Sequence, residues 1–154
     1  MFSRILVPLD GSKDGESVLI YVEDIAKRYE SEVVLMQAVD MPASLLMADP
    51  AGAAIVDPRL IDKELQVESE EGAHYLDEIV HRLRSQGLKV SSNVRREAPA
   101  AAIRHLAREG NFDLVIMGTH DHSGLSRLMF GSVTDDTVHH VEVPILIVHS
   151  PKRR

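Results

Sequence analysis

The feature that most constrains the fold is the alternation of short apolar runs with longer segments of helical periodicity. Apolar runs over residues 4–10, 32–39, 88–94, 112–117 and 143–148 predict five strands. Between most of them, apolar residues recur every three or four positions, as in amphipathic helices. Strands that alternate with helices favour a parallel sheet with helices on both faces. We therefore expect a single α/β domain.

Four helices are expected between these strands. The first follows the turn residues Gly11–Gly15, and the second occupies much of Leu65–Gly87, where the glycine suits a helix end. The third lies within Pro99–Gly110. Before the last, Ser132 and Asp135 have the spacing of a capping box, which predicts Ser132 as the N-cap.

Two segments fall outside this alternation. Met41–Pro58 holds three prolines and a glycine without a clear period, which predicts a long loop of the kind that is either a functional lid or disordered. The basic end, residues 151–154, is expected to be a solvated tail. Residues 1–150 are then one domain.

Composition excludes several classes of protein. The 154 residues fit one domain, and the lack of cysteine excludes a disulfide framework or a cysteine zinc site. A net charge of -7 argues against general nucleic-acid binding, which depends on Lys and Arg at phosphates. No signal-peptide pattern is visible, and no apolar stretch approaches the ~20 residues that span a bilayer. We expect a soluble cytoplasmic protein without membrane insertion.

The best place for chemistry is the carboxyl edge of the sheet. In open parallel sheets, ligands bind where the strand order reverses, here between the first and fourth strands. Asp10 is expected to end the first strand and Gly118 the fourth. The segment after Gly118 leads to Gly131 and Ser132 at a helix start, where bare amides favour an anion. The alternative is an ordinary strand-to-helix connection with a capped helix.

Five blocks of sequence together resemble the universal stress protein family. They are ILVPLDGS at 5–12, FDLVIMGTH at 112–120, SGLSRL at 123–128, GSV at 131–133 and VPILIV at 143–148. The resemblance extends over essentially the whole chain. It implies a five-stranded parallel sheet of order 3-2-1-4-5, the adenine nucleotide alpha hydrolase-like fold. It also implies relatives that bind adenine nucleotides, and a homodimer formed through the last strand, Val143 to Val148.

The resemblance also implies where ATP would bind. ATP-binding members carry G-x2-G-x9-G-[ST], which Gly118, Gly131 and Ser132 match, whereas Asp121 replaces the middle glycine. The charge of Asp121 either repels the phosphates or holds a bridging cation such as Mg. The implied contacts are Pro8, Leu9 and Asp10 beside adenine and ribose, Ala38 at the base, Met117 and Gly118 below the sugar and phosphates, and Gly131, Ser132, Val133 and Thr134 at the phosphates.

Three of these residues also have a purely structural interpretation. Asp10 could be a turn carboxylate, and Ala38 and Met117 could serve core packing alone. The stretch His120–Asp121–His122 suggests imidazole and carboxylate metal ligands, but the sequence indicates no third partner, so we predict no metal site.

Three functions remain open at this point. The first is a regulatory protein that binds ATP and has at most slow hydrolysis, with no catalytic residue assigned. The second is a dimeric interaction module of the same fold that has lost ATP binding because of Asp121. The third is a carrier of flavin or another small ligand, or a true enzyme. Neither a P-loop nor a G-x-G-x-x-G motif after the first strand is present.

Overall fold

The sheet has the predicted strand order. The structure is a computed structural model that describes residues 1–41, 57–119 and 131–149. Within these residues, five parallel strands form one sheet in the order β3-β2-β1-β4-β5. The strands are β1 (Arg4–Pro8), β2 (Glu32–Ala38), β3 (Lys89–Arg95), β4 (Leu114–Thr119) and β5 (Ile145–His149). The expected fold class is confirmed.

Four α-helices connect these strands in the described part of the chain. They are α1 (Leu19–Tyr29), α2 (Pro58–Ser85), α3 (Pro99–Glu109) and α4 (Ser132–His140). A single 3-10 turn, Gly15–Val18, precedes α1. At the end of α2, Gly87 has φ +86°, a left-handed conformation that glycine adopts without strain, and the chain turns there into β3.

The strand ends differ from the predicted ones by a few residues. Gly118 was expected to end the fourth strand but lies inside β4. Gly118 pairs with Val148 of β5, and the pairing of the two strands continues with Thr119. The last strand begins at Ile145 rather than at Val143, after Pro144, which has no N–H to give to a ladder. β1 ends at Pro8, two residues before Asp10.

The start of α4 corrects the predicted capping box. Gly131, with ψ 156°, is the N-cap, and its carbonyl accepts the first helical hydrogen bond from the Asp135 N–H at 2.9 Å. Ser132 is already the first helical residue, and no side chain caps the helix. The prediction of Ser132 as N-cap was therefore wrong by one position, because the extended backbone that an N-cap needs falls on Gly131.

Each face of the sheet has its own hydrophobic core. Ile5 and Val7 of β1 point to one face and pack with residues of α1 and α2. Leu6 of β1 and Met36 of β2 point to the other face and pack with α3, where Val133 of α4 joins them. Alternate side chains of one strand thus enter opposite cores, which places helices on both faces as predicted.

The two edges of the sheet are β3 and β5. In β3, Val90 is buried, Lys89 and Ser92 are exposed, and the other residues are partly exposed. In β5, Ile145, Leu146 and Ile147 are all partly exposed. Within the described ranges, no helix combines the length and apolarity needed to cross a membrane. The predicted loop Met41–Pro58 falls largely outside the described residues, and the tail 151–154 falls wholly outside them.

Candidate functional site

A cavity of about 450 Å³ lies at the carboxyl edge of the sheet, on the face covered by α3. The ends of β1, β2 and β4 and the first turns of α3 and α4 surround it. All ten residues that the resemblance implied line this one cavity: Pro8, Leu9, Asp10, Ala38, Met117, Gly118, Gly131, Ser132, Val133 and Thr134. The fold brings the ten together, and their role in binding stays a prediction.

Another cavity, of about 480 Å³, lies at the opposite edge of the sheet. Glu30, Glu32 and Arg84 are among the residues that line it. The amino ends of the crossover helices lie at the carboxyl edge, where their unpaired N–H groups favour anions. We therefore place the candidate site in the carboxyl-edge cavity.

Asp10 shapes the turn after β1 as well as the cavity wall. Its Oδ1 accepts hydrogen bonds from the Ser12 amide at 3.0 Å and the Ser12 hydroxyl at 2.7 Å. The Ser12 Oγ in turn accepts from the Gly15 amide at 3.0 Å. The interpretation of Asp10 as a turn carboxylate is therefore correct, and it holds together with the position of Asp10 in the cavity.

The first turn of α4 forms the wall opposite this loop. Gly131 and Ser132 are exposed, whereas the Thr134 side chain is buried. The first N–H groups of a helix have no acceptor within the helix, and the macrodipole adds partial positive charge there. Because α4 begins in the cavity wall, this end of the cavity suits phosphate oxygens.

The floor of the cavity is apolar and buried. Met36, Ile103 and Met117 are exposed by only 1%, 1% and 4%. Together with Ala38 they form a surface that suits the flat ring of a base rather than a charged group. Val133 of the α4 wall packs against the same cluster of side chains.

Four residues of the cavity were missed by the sequence interpretation: Gly15, Met36, Pro99 and Ile103. Two of them had a usable signal. Met36 lies two positions before Ala38 in β2 and so shares its face. Pro99 opens the helix after β3, and helices that follow parallel strands begin at the carboxyl edge. Ile103 and Gly15 depend on how α3 and the β1 loop pack, which no local pattern shows.

A charged network supports the β1 loop from the α2 side. Glu16, in the turn before α1, accepts a hydrogen bond from Lys13 Nζ at 2.9 Å and lies 3.4 Å from Arg82 Nη2. The Glu16 side chain is only 12% exposed. Burial, with smaller contributions from the negative charges of Glu16 and Asp10, raises the pKa of the Tyr75 hydroxyl well above its ordinary value. Tyr75 therefore stays neutral beside these carboxylates.

The residues between β4 and α4 lie partly outside the described chain. His120, Asp121 and His122 are among them, so the expectations about the middle glycine position and about His-Asp-His stay predictions. Within residues 1–41, 57–119 and 131–149, no three or more His, Asp or Glu side chains are grouped to hold a metal ion.

Five parallel strands in this order, with a cavity at their carboxyl ends, define an α/β domain of the adenine nucleotide alpha hydrolase-like class. The sequence agrees with one family within that class over almost its whole length. The chain belongs to the universal stress protein family, whose family model matches residues 1–149.

Individual relatives support this membership. Universal stress protein MJ0531 of Methanocaldococcus jannaschii is 29% identical over 153 residues, which cover 99% of this chain and 85% of that protein. The solved structure of MJ0577 from the same organism matches with a TM-score of 0.81 at 24% identity and covers 99% of both chains. An Arabidopsis thaliana family protein, solved with AMP bound, matches with a TM-score of 0.65 at 15% identity over 97% of this chain and 93% of that one. At these identities the two structures show the shared fold.

Proposed function

We propose that the chain is a cytoplasmic regulatory protein that binds an adenine nucleotide, ATP with Mg, in the carboxyl-edge cavity. The observation that carries the proposal is that the cavity has an apolar floor and, at the first turn of α4, a wall that favours anions. Its floor of Met36, Ile103 and Met117 suits a purine, and the first turn of α4 on the far wall suits phosphates. The AMP held by the Arabidopsis thaliana relative is the same class of ligand.

We assign the protein a regulatory rather than a catalytic role. The described walls of the cavity contain one ionisable side chain, Asp10, and its Oδ1 is engaged by Ser12. Binding of the nucleotide in the cavity would then change the conformation of the surrounding loops and of the surfaces that contact partner proteins. The protein would hydrolyse ATP slowly at most.

We further propose that the functional unit is a homodimer formed through the last strand, Val143 to Val148. β5 is a sheet edge, and on its outer side no strand of the described chain pairs with its backbone. An apolar, unpaired edge is a template for a second strand. A two-fold axis beside β5 would pair it with its own copy.

The direct test is calorimetric titration of the protein with ATP, in the presence and absence of Mg. We expect binding of ATP, and weaker binding of GTP because the apolar floor does not pair with the added polar groups of guanine. Absence of ATP binding in both conditions would contradict the proposal and leave the dimeric interaction module without ATP as the function.

The variant Asp121→Gly separates the two expected effects of that residue. Tighter binding without Mg would mean that the carboxylate repels the phosphates. Weaker binding only with Mg would mean that Asp121 helps to hold the cation. Unchanged affinity in both conditions would show that residue 121 does not meet the phosphates.

A further inference from the structure

The placement of α4 decides the shape of the phosphate end of the cavity. Four consecutive cavity residues, Gly131 to Thr134, are the N-cap and first turn of this nine-residue helix. Pro99 and Ile103 of α3 line the same cavity. The width of the cavity on this side therefore depends on how α4 packs against α3.

Apolar packing accounts for part of that placement. Val133 packs against the core cluster that contains Ile103, Leu106 and Ala107 of α3. Thr137, one turn later, is fully buried, and its hydroxyl donates to the Val133 carbonyl at 2.7 Å. These contacts hold the buried side of α4. A short helix packed on one side can still rotate about its axis or slide along it, so other groups must restrain those motions.

A polar contact joins the two helices directly beside the cavity. Arg104 Nη1 donates to Asp136 Oδ2 at 2.6 Å. Arg104 follows the cavity residue Ile103, and Asp136 lies one helical turn after Ser132. The two side chains are 36% and 29% exposed, so the pair is partly shielded from water. A short, partly shielded, charge-assisted hydrogen bond is stronger and more directional than an exposed ion pair.

We propose that Arg104 and Asp136 are positioning residues of the nucleotide site, and that their ion pair fixes the first turn of α4 at its distance from the cavity floor. The proposal rests on the proposed function of the cavity, and it explains what holds the helix at the phosphate end of that cavity in place. Neither residue lines the cavity, so both act through α4.

A different role for the pair would be purely electrostatic. Asp136 places a negative charge one turn from the phosphate end, and Arg104 neutralises it. Under that role, Arg104→Gln would weaken ATP binding by exposing the charge, and Asp136→Asn would strengthen binding by removing it. Under the positioning role, Arg104→Gln shortens the donor and Asp136→Asn replaces the charged acceptor with a neutral amide oxygen, so both substitutions weaken the same charge-assisted hydrogen bond and both weaken binding. The direction of the Asp136→Asn effect therefore separates the two.

The first experiment measures the Kd for ATP with Mg by calorimetry. We expect Arg104→Gln and Asp136→Asn each to raise the Kd about three- to fivefold, as loss of one partly shielded pair would. The charge-swapped double variant Arg104→Asp with Asp136→Arg should recover part of the loss. Tighter binding by Asp136→Asn, or no change in either variant, would overturn the proposal.

A matched control comes from another ion pair of α3. Arg95, the last residue of β3, donates from Nη2 to Oε2 of Glu109, the last residue of α3, at 2.8 Å. We expect Arg95→Gln to leave the Kd unchanged. An equal loss of affinity in this variant would mean that general loosening of α3 is responsible, and the proposal would fail. His140→Gln controls for the 3.3 Å contact between His140 and Asp136.

The second experiment needs no nucleotide. Amide hydrogen exchange of the ligand-free protein should accelerate in both single variants at α4, including the Asp135 N–H that bonds Gly131 and the Val141 N–H that bonds Thr137. Exchange in β1 and β4 should stay unchanged. Unchanged exchange at α4 would overturn the positioning role. If the wild type did not bind ATP while α4 exchange still rose in the variants, the proposed function would fail and the restraint of α4 would stand.

Discussion

Asp10 and Gly15 approach each other so closely that a side chain at residue 15 would collide with the carboxylate. A Cβ at Gly15 would lie 2.5 Å from Asp10 Oδ1 and 3.2 Å from Ser12 Oγ. The same Oδ1 accepts two hydrogen bonds from Ser12. The missing side chain at residue 15 therefore allows Asp10 to stay both in its turn and in the cavity wall.

The variant Gly15→Ala should displace Asp10 and disturb the bonds around Ser12. We expect a loss of about 1–2 kcal/mol in the free energy of unfolding, measured by urea denaturation, and weaker ATP binding by calorimetry. Gly118→Ala is the matched control in the same cavity, since its Cβ would make only an ordinary 3.4 Å contact with Val18. Equal stability losses in the two variants would contradict this account.

Enlarging Ala38 should block the base end of the cavity. Ala38 lies in the cavity wall at the end of β2, and a leucine there would fill space next to Met36 and Ile103. We expect Ala38→Leu to lower ATP affinity at least about tenfold, with a melting temperature equal to or above that of the wild type because apolar surface is filled. Ala38→Ser, which keeps the space open, should bind nearly normally. Wild-type affinity in Ala38→Leu would show that the nucleotide does not use this end.

The raised pKa of the Tyr75 hydroxyl predicts that the free energy of unfolding falls at high pH. Burial first, then the negative charges of Glu16 and Asp10, raises the pKa of its hydroxyl above the ordinary 10.0. The neutral form is thus favoured in the folded state, and its stabilising contribution is complete below pH 10. As the pH rises past 10, the unfolded chain loses this proton first, so stability falls.

The variant Tyr75→Phe removes this proton and should flatten that fall. Urea denaturation at pH 9, 10 and 11 should show a steeper loss for the wild type than for the variant. Tyr21 and Tyr29 are present in both proteins and are 49% and 45% exposed, so their contribution cancels in the comparison. Parallel stability curves would contradict the raised pKa of Tyr75, and with it the buried environment of the hydroxyl.

A charge at the β5 edge should disrupt the proposed homodimer. Ile147 is partly exposed in β5, and a lysine there would have to be desolvated between two strands. We expect the wild type to have the mass of a dimer and Ile147→Lys the mass of a monomer in light scattering at micromolar concentration. Val138→Lys adds the same charge at an exposed position of α4 and should remain a dimer. A monomeric wild type would refute the interface.

Local patterns determined a large part of this protein. Short apolar runs predicted the five strands, and apolar residues at helical spacing predicted the helices between them, because a strand buried on both faces is apolar throughout and a helix buries only one face. The parallel sheet follows from that alternation. The blocks around Asp10, Gly118 and Gly131 carried the family resemblance. That resemblance in turn predicted the strand order and the cavity residues.

Other features were decided only by the tertiary structure. The N-cap at Gly131 instead of Ser132 depends on the backbone angle at which the chain enters α4. Ile103 reaches the cavity because α3 packs across the sheet there, and the approach of Gly15 to Asp10 depends on the fold of the β1 loop. The pair between Arg104 and Asp136 joins residues 32 positions apart. The N-cap and the approach of Gly15 depend on backbone angles that the packing of the whole chain sets, and the contacts of α3 join groups that are distant in the chain, so no repeat or motif encodes them.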